Sequence, residues 1–133
     1  MNEYRSKSWL HSDAMQSLGF TKAQRHWRHP RSRYRVEFPA GHVAIGEETI
    51  HEFAERRTSA DVLRVLHPAE CVMDRLSWYI HGADTQCLEQ ALRVAELHAV
   101  DLDRIERWAR GEGPQGAERF REFERRLRRS RDQ

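Results

Sequence analysis

Between positions 22 and 35 the chain places six cations, Lys22, Arg25, Arg28, Arg31, Arg33 and Arg35, among His26, Trp27, His29 and Tyr34, with no acid in the stretch. A guanidinium donates paired N–H bonds to phosphate or carboxylate oxygens. Aromatic rings interleaved with such groups offer faces on which bases stack. Trp27 and the six cations are therefore the candidate residues for binding a nucleic acid or a protein partner. The competing reading is a solvated sheet face, or one neutralised by acids elsewhere in the chain.

Other constellations carry less chemistry. His67 and Cys71, or His81 and Cys87, have loosely ligand-like spacings. Neither forms a Cys-x2-Cys pair or a His-x3-His pair on adjacent helix turns, so no metal site is expected. Cys71 and Cys87 are expected in the core as small apolar residues, since nothing marks an exposed, electropositive thiol. Arg75 is expected to brace Glu37 or Asp84, and Gly41 and Gly46 form no phosphate-cradling motif. In the arginine-rich tail, Glu122 with Arg126 and Glu124 with Arg128 are pairs of the helix-supporting orientation.

The formal charge of the 133 residues is only +2, but it is unevenly placed. Residues 1–36 carry +6, residues 37–103 carry −8 and residues 104–133 carry +4. Such polarity suits a polyanion at one end of the chain or an electrostatic fold-back. Four Trp, three Tyr and five Phe argue against disorder. No apolar run approaches the ~20 residues that span a bilayer, and the first residues lack the apolar core of a signal peptide. Two cysteines make no disulfide framework, so a cytoplasmic location and no membrane association are expected.

The elements that must position these residues follow from periodicity. Residues 8–18 read as a helix with Ser8 as cap, Leu10, Ala14 and Leu18 on one face, and Gly19 as the stop. Runs at 24–29 and 33–38 alternate about the His29–Ser32 turn and predict a hairpin over 23–38, with Tyr34, Val36 and Phe38 on one side. Pro39-Ala40-Gly41 ends it. A short strand is expected at 43–45, a loop or short helix over 47–60, and a strand at 62–66. From Pro68 the period is helical: Val72, Leu76 and Tyr79 lie on one face and Gly82 closes the helix. Asp84 and Asp101 cap the next two helices, and Phe120, Phe123 and Leu127 mark the last. Trp9, Trp78 and Trp108 are expected in the core. The fold class is α+β: a small, mostly antiparallel sheet packed against a helical C-terminal half, in a single domain over 1–133 divided into 1–66 and 67–133.

Three stretches carry a resemblance: LGF (18–20), RHWRHPRSRYRVEFPAG (25–41) running into VAIGEE (43–48), and LHPAECVMDRLSWYIHGADTQCLEQALRVAE (66–96). With the trailing Asp101–Trp108 run they span residues 18–108, about two-thirds of the chain. They resemble the C-terminal half of bacterial nucleotidyltransferase-fold proteins, distantly similar to abortive-infection type toxin nucleotidyltransferases. In that superfamily a Gly-Ser turn holds the nucleotide, and three carboxylates, two of them in an Asp-x-Asp, hold divalent ions for phosphoryl transfer. The resemblance places Glu37 at the third carboxylate. The Gly-Ser turn and the Asp-x-Asp have no counterpart before Ser8, and Asp101 and Asp103 share the spacing at a helix start instead.

The resemblance therefore implies a truncated nucleotidyltransferase-like scaffold that acts by macromolecular binding, as an antitoxin or a phage-type inhibitor of a defence complex does. No catalytic residue and no cofactor are expected on that reading, and a protein partner is. Two alternatives stand beside it. A partner chain completes a metal-dependent nucleotidyltransferase, with Glu37 catalytic and Mg²⁺ as cofactor. Or the basic hairpin 22–35 acts as a nucleic-acid-binding module in its own right. A homodimer that covers an apolar sheet face is a further expectation.

Overall fold

Each of the five stretches with helical periodicity forms a helix in the computed structural model, which describes residues 8–39 and 41–133. The chain is α+β, with small antiparallel sheets and a helical C-terminal half. It divides into two compact units, Met1–Gly41 and His42–Gln133.

In the first unit, helix α1 (Ser8–Ser17) stops at Gly19, whose φ of +89° suits a residue without a Cβ. The backbone N–H of Phe20 donates to the Met15 carbonyl at 3.0 Å, closing the turn. Strands β1 (Thr21–Ala23), β2 (His26–Arg28) and β3 (Arg35–Glu37) then form an antiparallel meander in the order β1-β2-β3. The expected hairpin is thus one strand short. Gln24, at φ +60°, turns the chain inside the stretch expected to be a single strand. Met15 and Trp27 are buried here, whereas Ala14 and Leu18 are exposed. Leu18 lies past the helix end, so the expected face is rotated by one position toward Met15. Tyr34 and Phe38 fall outside the three-residue β3 and are also exposed; Phe38 stacks on His11 at 4.4 Å. The side chains of Ser8, Trp9 and Leu10, and all of Ala40, lie outside the described residues.

The second unit opens with two small ribbons. Strands β4 (Ala44–Ile45) and β5 (Glu48–Thr49) pair around Gly46, and β6 (Ala54–Arg57) pairs with β7 (Val62–Val65). Residues 47–60, expected as a loop or short helix, therefore contain two strands. Their sequence hides this because β6 buries no face and shows no alternation of burial. Strand β7 lies where expected, but Val62, Leu63 and Val65 face solvent.

Four helices carry the core: α2 (Pro68–Gly82), α3 (Thr85–Leu97), α4 (Leu102–Arg110) and α5 (Gly116–Arg131). Pro68 occupies the first turn of α2, where its missing N–H removes no helical bond. Asp84 and Asp101 accept the backbone N–H of Cys87 and of Arg104, each at 3.1 Å, as N-caps do. Val72, Leu76, Leu92, Ile105, Phe120 and Phe123 meet in one cluster, each large side chain contributing about 1.5–3 kcal/mol by leaving water. Ile45 and Ile50 join it from the β4–β5 region. Trp108 is buried and donates its indole N–H to the Ile45 carbonyl at 3.1 Å, which ties β4 to α4. Trp78 is 59% exposed, since its neighbours in α2 turn Leu76, Tyr79 and Ile80 inward instead.

Candidate nucleic-acid interface

The strand register sorts the candidate residues of the first unit onto two faces. Lys22 opposes Trp27, and Trp27 opposes Val36, so these three share one side. Trp27 is buried there, with the Lys22 ammonium 5.9 Å from its ring centroid. Thr21, Arg28 and Arg35 line up across the other side, beside Ala23, His26 and Glu37. Arg28 and Arg35 are direct cross-strand partners and both are exposed. Like charges in that position repel. Arg28 donates from Nε to His26 Nε2 at 3.2 Å, which aims its guanidinium along the strand.

The remaining cations sit in the turns. Arg25 occupies the β1–β2 turn, and Arg31 and Arg33 the β2–β3 loop. That loop is ordered by local bonds: the Arg31 N–H donates to His29 Nδ1 and the Tyr34 N–H to Ser32 Oγ, each at 3.1 Å. The Arg33 guanidinium lies 5.2 Å over the Tyr34 ring and donates to its hydroxyl at 3.2 Å. Tyr34 is 69% exposed, so a ring face flanked by a cation is open to solvent. Among the described residues every ion pair lies within the second unit. The structure thus brings Arg28 and Arg35 together on one face and Arg33 to Tyr34. It leaves Lys22 and Trp27 on the opposite face. Glu37 is exposed at the end of β3, opposite His26.

Two ionic clusters in the second unit have no counterpart in the sequence reading. Arg104 of α4 reaches Glu48 Oε1 at 3.0 Å with one amino group and Glu70 Oε1 at 3.1 Å with the other. Glu112 is buried, accepts the Glu47 N–H at 3.3 Å and lies 3.0 Å from His81 Nε2. These contacts cross 31 to 65 positions of sequence, beyond the reach of local pattern. The nearest signal was Glu70 in the first turn of a Pro-started helix, where the dipole favours a carboxylate.

Several expected pairings resolve differently. Arg75 binds Asp74 and donates to Gln90 Oε1 at 3.3 Å, with the Cys87 sulfur 3.8 Å away, because its side chain runs along the α2–α3 seam. Glu124 pairs with Arg128 at 3.5 Å as expected. Glu122 instead accepts the Tyr79 hydroxyl at 2.6 Å, and Arg126 turns to Glu89. Cys87 is buried and Cys71 partly so. Burial pushes both thiols above their ordinary value, and the nearby acids Asp74 and Glu70 add to that at Cys71. Among the described residues no group of three or more His, Cys, Asp or Glu side chains is disposed to hold a metal ion. No helix among them is long and apolar enough to cross a membrane. Comparison with protein-family models, with curated proteins and with solved structures finds no match to this chain.

Proposed function

We propose that this chain is a non-catalytic binding protein whose partner is a nucleic acid held by the β1–β3 meander. The observation that carries this reading is the Arg28–Arg35 pair, exposed, directly opposed across β2 and β3, and in no salt bridge with the carboxylates of the described residues. A like-charged cross-strand pair weakens a sheet unless an anion bridges it. The phosphate backbone is the anion whose repeat and charge suit a row of arginines. The Arg33–Tyr34 platform adds a ring face for an unpaired base. The nucleotidyltransferase-like scaffold belongs to the same reading and rests on the sequence resemblance. So does the notion that a separate chain would have to add carboxylates to Glu37 before Mg²⁺ could bind.

The test is binding of labelled single-stranded and duplex oligonucleotides at two salt concentrations. Neutralising about three phosphates gives a slope of log K on log salt near −2 for single strands, from about −0.7 per contact. Arg28→Ala/Arg35→Ala is expected to lower the slope by about 1 to 2 and the affinity at least about tenfold. Absence of binding at low salt removes the reading.

A further inference from the structure

Strands β6 and β7 form a two-stranded ribbon and pair only with each other among the described residues. Their register sorts the side chains. Ala54, Arg56, Leu63 and Val65 share one face, and Glu55, Arg57, Val62 and Arg64 share the other. Leu63 is 55% exposed, and Val62 and Val65 are exposed beside it. A lone two-stranded ribbon is marginal in water, and folded proteins normally blunt an open strand edge with charge, proline or a bulge. Strand β6 is blunted, since Glu55, Arg56 and Arg57 follow one another along it. Strand β7, Val-Leu-Arg-Val, carries a single charge.

The hydrogen-bond phase decides which main-chain groups β7 turns outward. The Thr58 N–H donates to the Asp61 carbonyl at 2.8 Å and closes the hairpin. Bonded pairs alternate from there, so Leu63 and Val65 spend their main-chain groups on β6, while Val62 and Arg64 point theirs away. The Val62 N–H has taken a stand-in acceptor from its own neighbour, Asp61 Oδ1 at 2.7 Å.

A second copy of the same edge fits it. The two-fold axis of an antiparallel strand pair stands normal to the sheet, so one residue lies opposite its own copy. Along the charged run of β6 that residue is Glu55, Arg56 or Arg57, each a like-charged pair that repels. A centre at Arg64 of β7 fails for the same reason. Centres at Val62 or Val65 run into the turn or into Leu66, which packs on the core, and pair fewer residues. A centre at Leu63 sets Leu63 against the partner's Leu63, Val62 against the partner's Arg64, and Arg64 against the partner's Val62. The last two pairs join the outward residues, and each exchanges both main-chain bonds. Arg64 keeps Glu55 as its opposite-charged cross-strand neighbour.

We propose that β7 is a dimer edge, at which two copies of this chain pair antiparallel about Leu63. The product is a four-stranded sheet in the order β6-β7-β7-β6, with Leu63 and Val65 of both copies on one face. No meander residue takes part, so the proposal does not rest on the nucleic-acid reading.

The experiment is sedimentation velocity of the full chain over a wide range of concentration. A monomer–dimer equilibrium is expected, with Kd about 0.1 mM for so small an interface. Val62→Glu sets a carboxylate against the partner's Arg64 at two symmetric places and is expected to tighten the dimer by about threefold or more. Val62→Lys sets like charges there and is expected to loosen it by a similar factor. Val62 faces solvent, so neither variant disturbs the core. Under mild oxidation Leu63→Cys is expected to link covalently, because directly opposed residues of this pair type lie about 4.5 Å apart. Arg57→Cys, on β6, and the unsubstituted chain, with Cys87 buried and Cys71 partly so, are expected to link far more slowly. A chain that stays monomeric at the highest concentration, a dimer indifferent to both Val62 variants, or linking by Leu63→Cys no faster than by Arg57→Cys would overturn the proposal.

Discussion

Arg104 joins two carboxylates on one guanidinium, and only one of them, Glu70, is out of water. The asymmetry sets what its removal does. Arg104→Leu leaves Glu48 free to solvate but strands the Glu70 charge, which is expected to cost about 3 kcal/mol. A lower urea midpoint at unchanged m-value is the readout. Glu70→Leu in the same chain is expected to recover most of that loss, since the buried charge goes with its partner. The thiols give a second handle at this scale. Burial first, then nearby carboxylates, holds Cys71 above its ordinary 9.0; burial likewise raises Cys87. Burial and donation to Glu122 raise Tyr79 above 10.0. The unfolded chain therefore releases these protons at lower pH than the folded one. Their contribution is present in full below pH 9.0 and is lost as pH rises through the folded values. Urea midpoints are expected to be insensitive to these groups at neutral pH and to fall on the alkaline side, with Tyr79→Phe and Cys87→Ala each flattening the fall. A fall of equal steepness in both variants would show that these groups do not carry it.

Helix ends are where the elements were most legible, because each has a local chemical cause. Pro68, Asp84, Asp101 and Gly19 act where their types imply, each satisfying or omitting a backbone group at a terminus. One end is displaced by a residue. Gly82 was expected to close α2, yet the left-handed residue is Ala83, at φ +51° and ψ +33°. A Cβ is disfavoured there by about 1 kcal/mol. Ala83→Gly is expected to raise stability by about 0.5–1 kcal/mol, seen as a higher thermal midpoint. Gly116 makes the opposite case. A Cβ on it would sit 1.8 Å from the Ala109 carbonyl oxygen, a backbone atom that cannot swing aside. Gly116→Ala therefore pushes the start of α5 away from the end of α4, and a loss of about 1–3 kcal/mol is expected in the same measurement. Nothing local marked that glycine as a packing residue; the approach of two helices did. The strands were less legible for a related reason. Those of two to four residues are too short for alternation to develop, and β6–β7 buries neither face. The meander's extra turn at Gln24 carries no Gly, Pro or Asn to announce it.

Across the whole molecule the two units carry opposite charge, although the basic tail offsets much of the acidic middle within the second. Residues 1–41 hold eight Lys and Arg against three acids, a formal +5, while residues 42–133 hold fifteen against eighteen, a formal −3. The candidate interface was legible as a basic run, because arginines spaced among aromatics need no tertiary information. Its division into two faces was not, because the register depends on the turn at Gln24. The Arg104 ion-pair cluster was not legible at all, since Glu48, Glu70 and Arg104 meet only through the packing of β5, α2 and α4. That packing suggests a decisive dissection. The helical unit has its own core through four helices and two isoleucines, and its ion pairs close within it. At 92 residues it exceeds the size below which a domain needs staples. The fragment 42–133 is therefore expected to fold alone, with a cooperative urea transition and helical circular dichroism. It should lose oligonucleotide binding, because it carries −3 and no part of the meander. Retention of that binding with the full chain's salt slope would move the nucleic-acid surface off Arg28 and Arg35, and onto the helical unit.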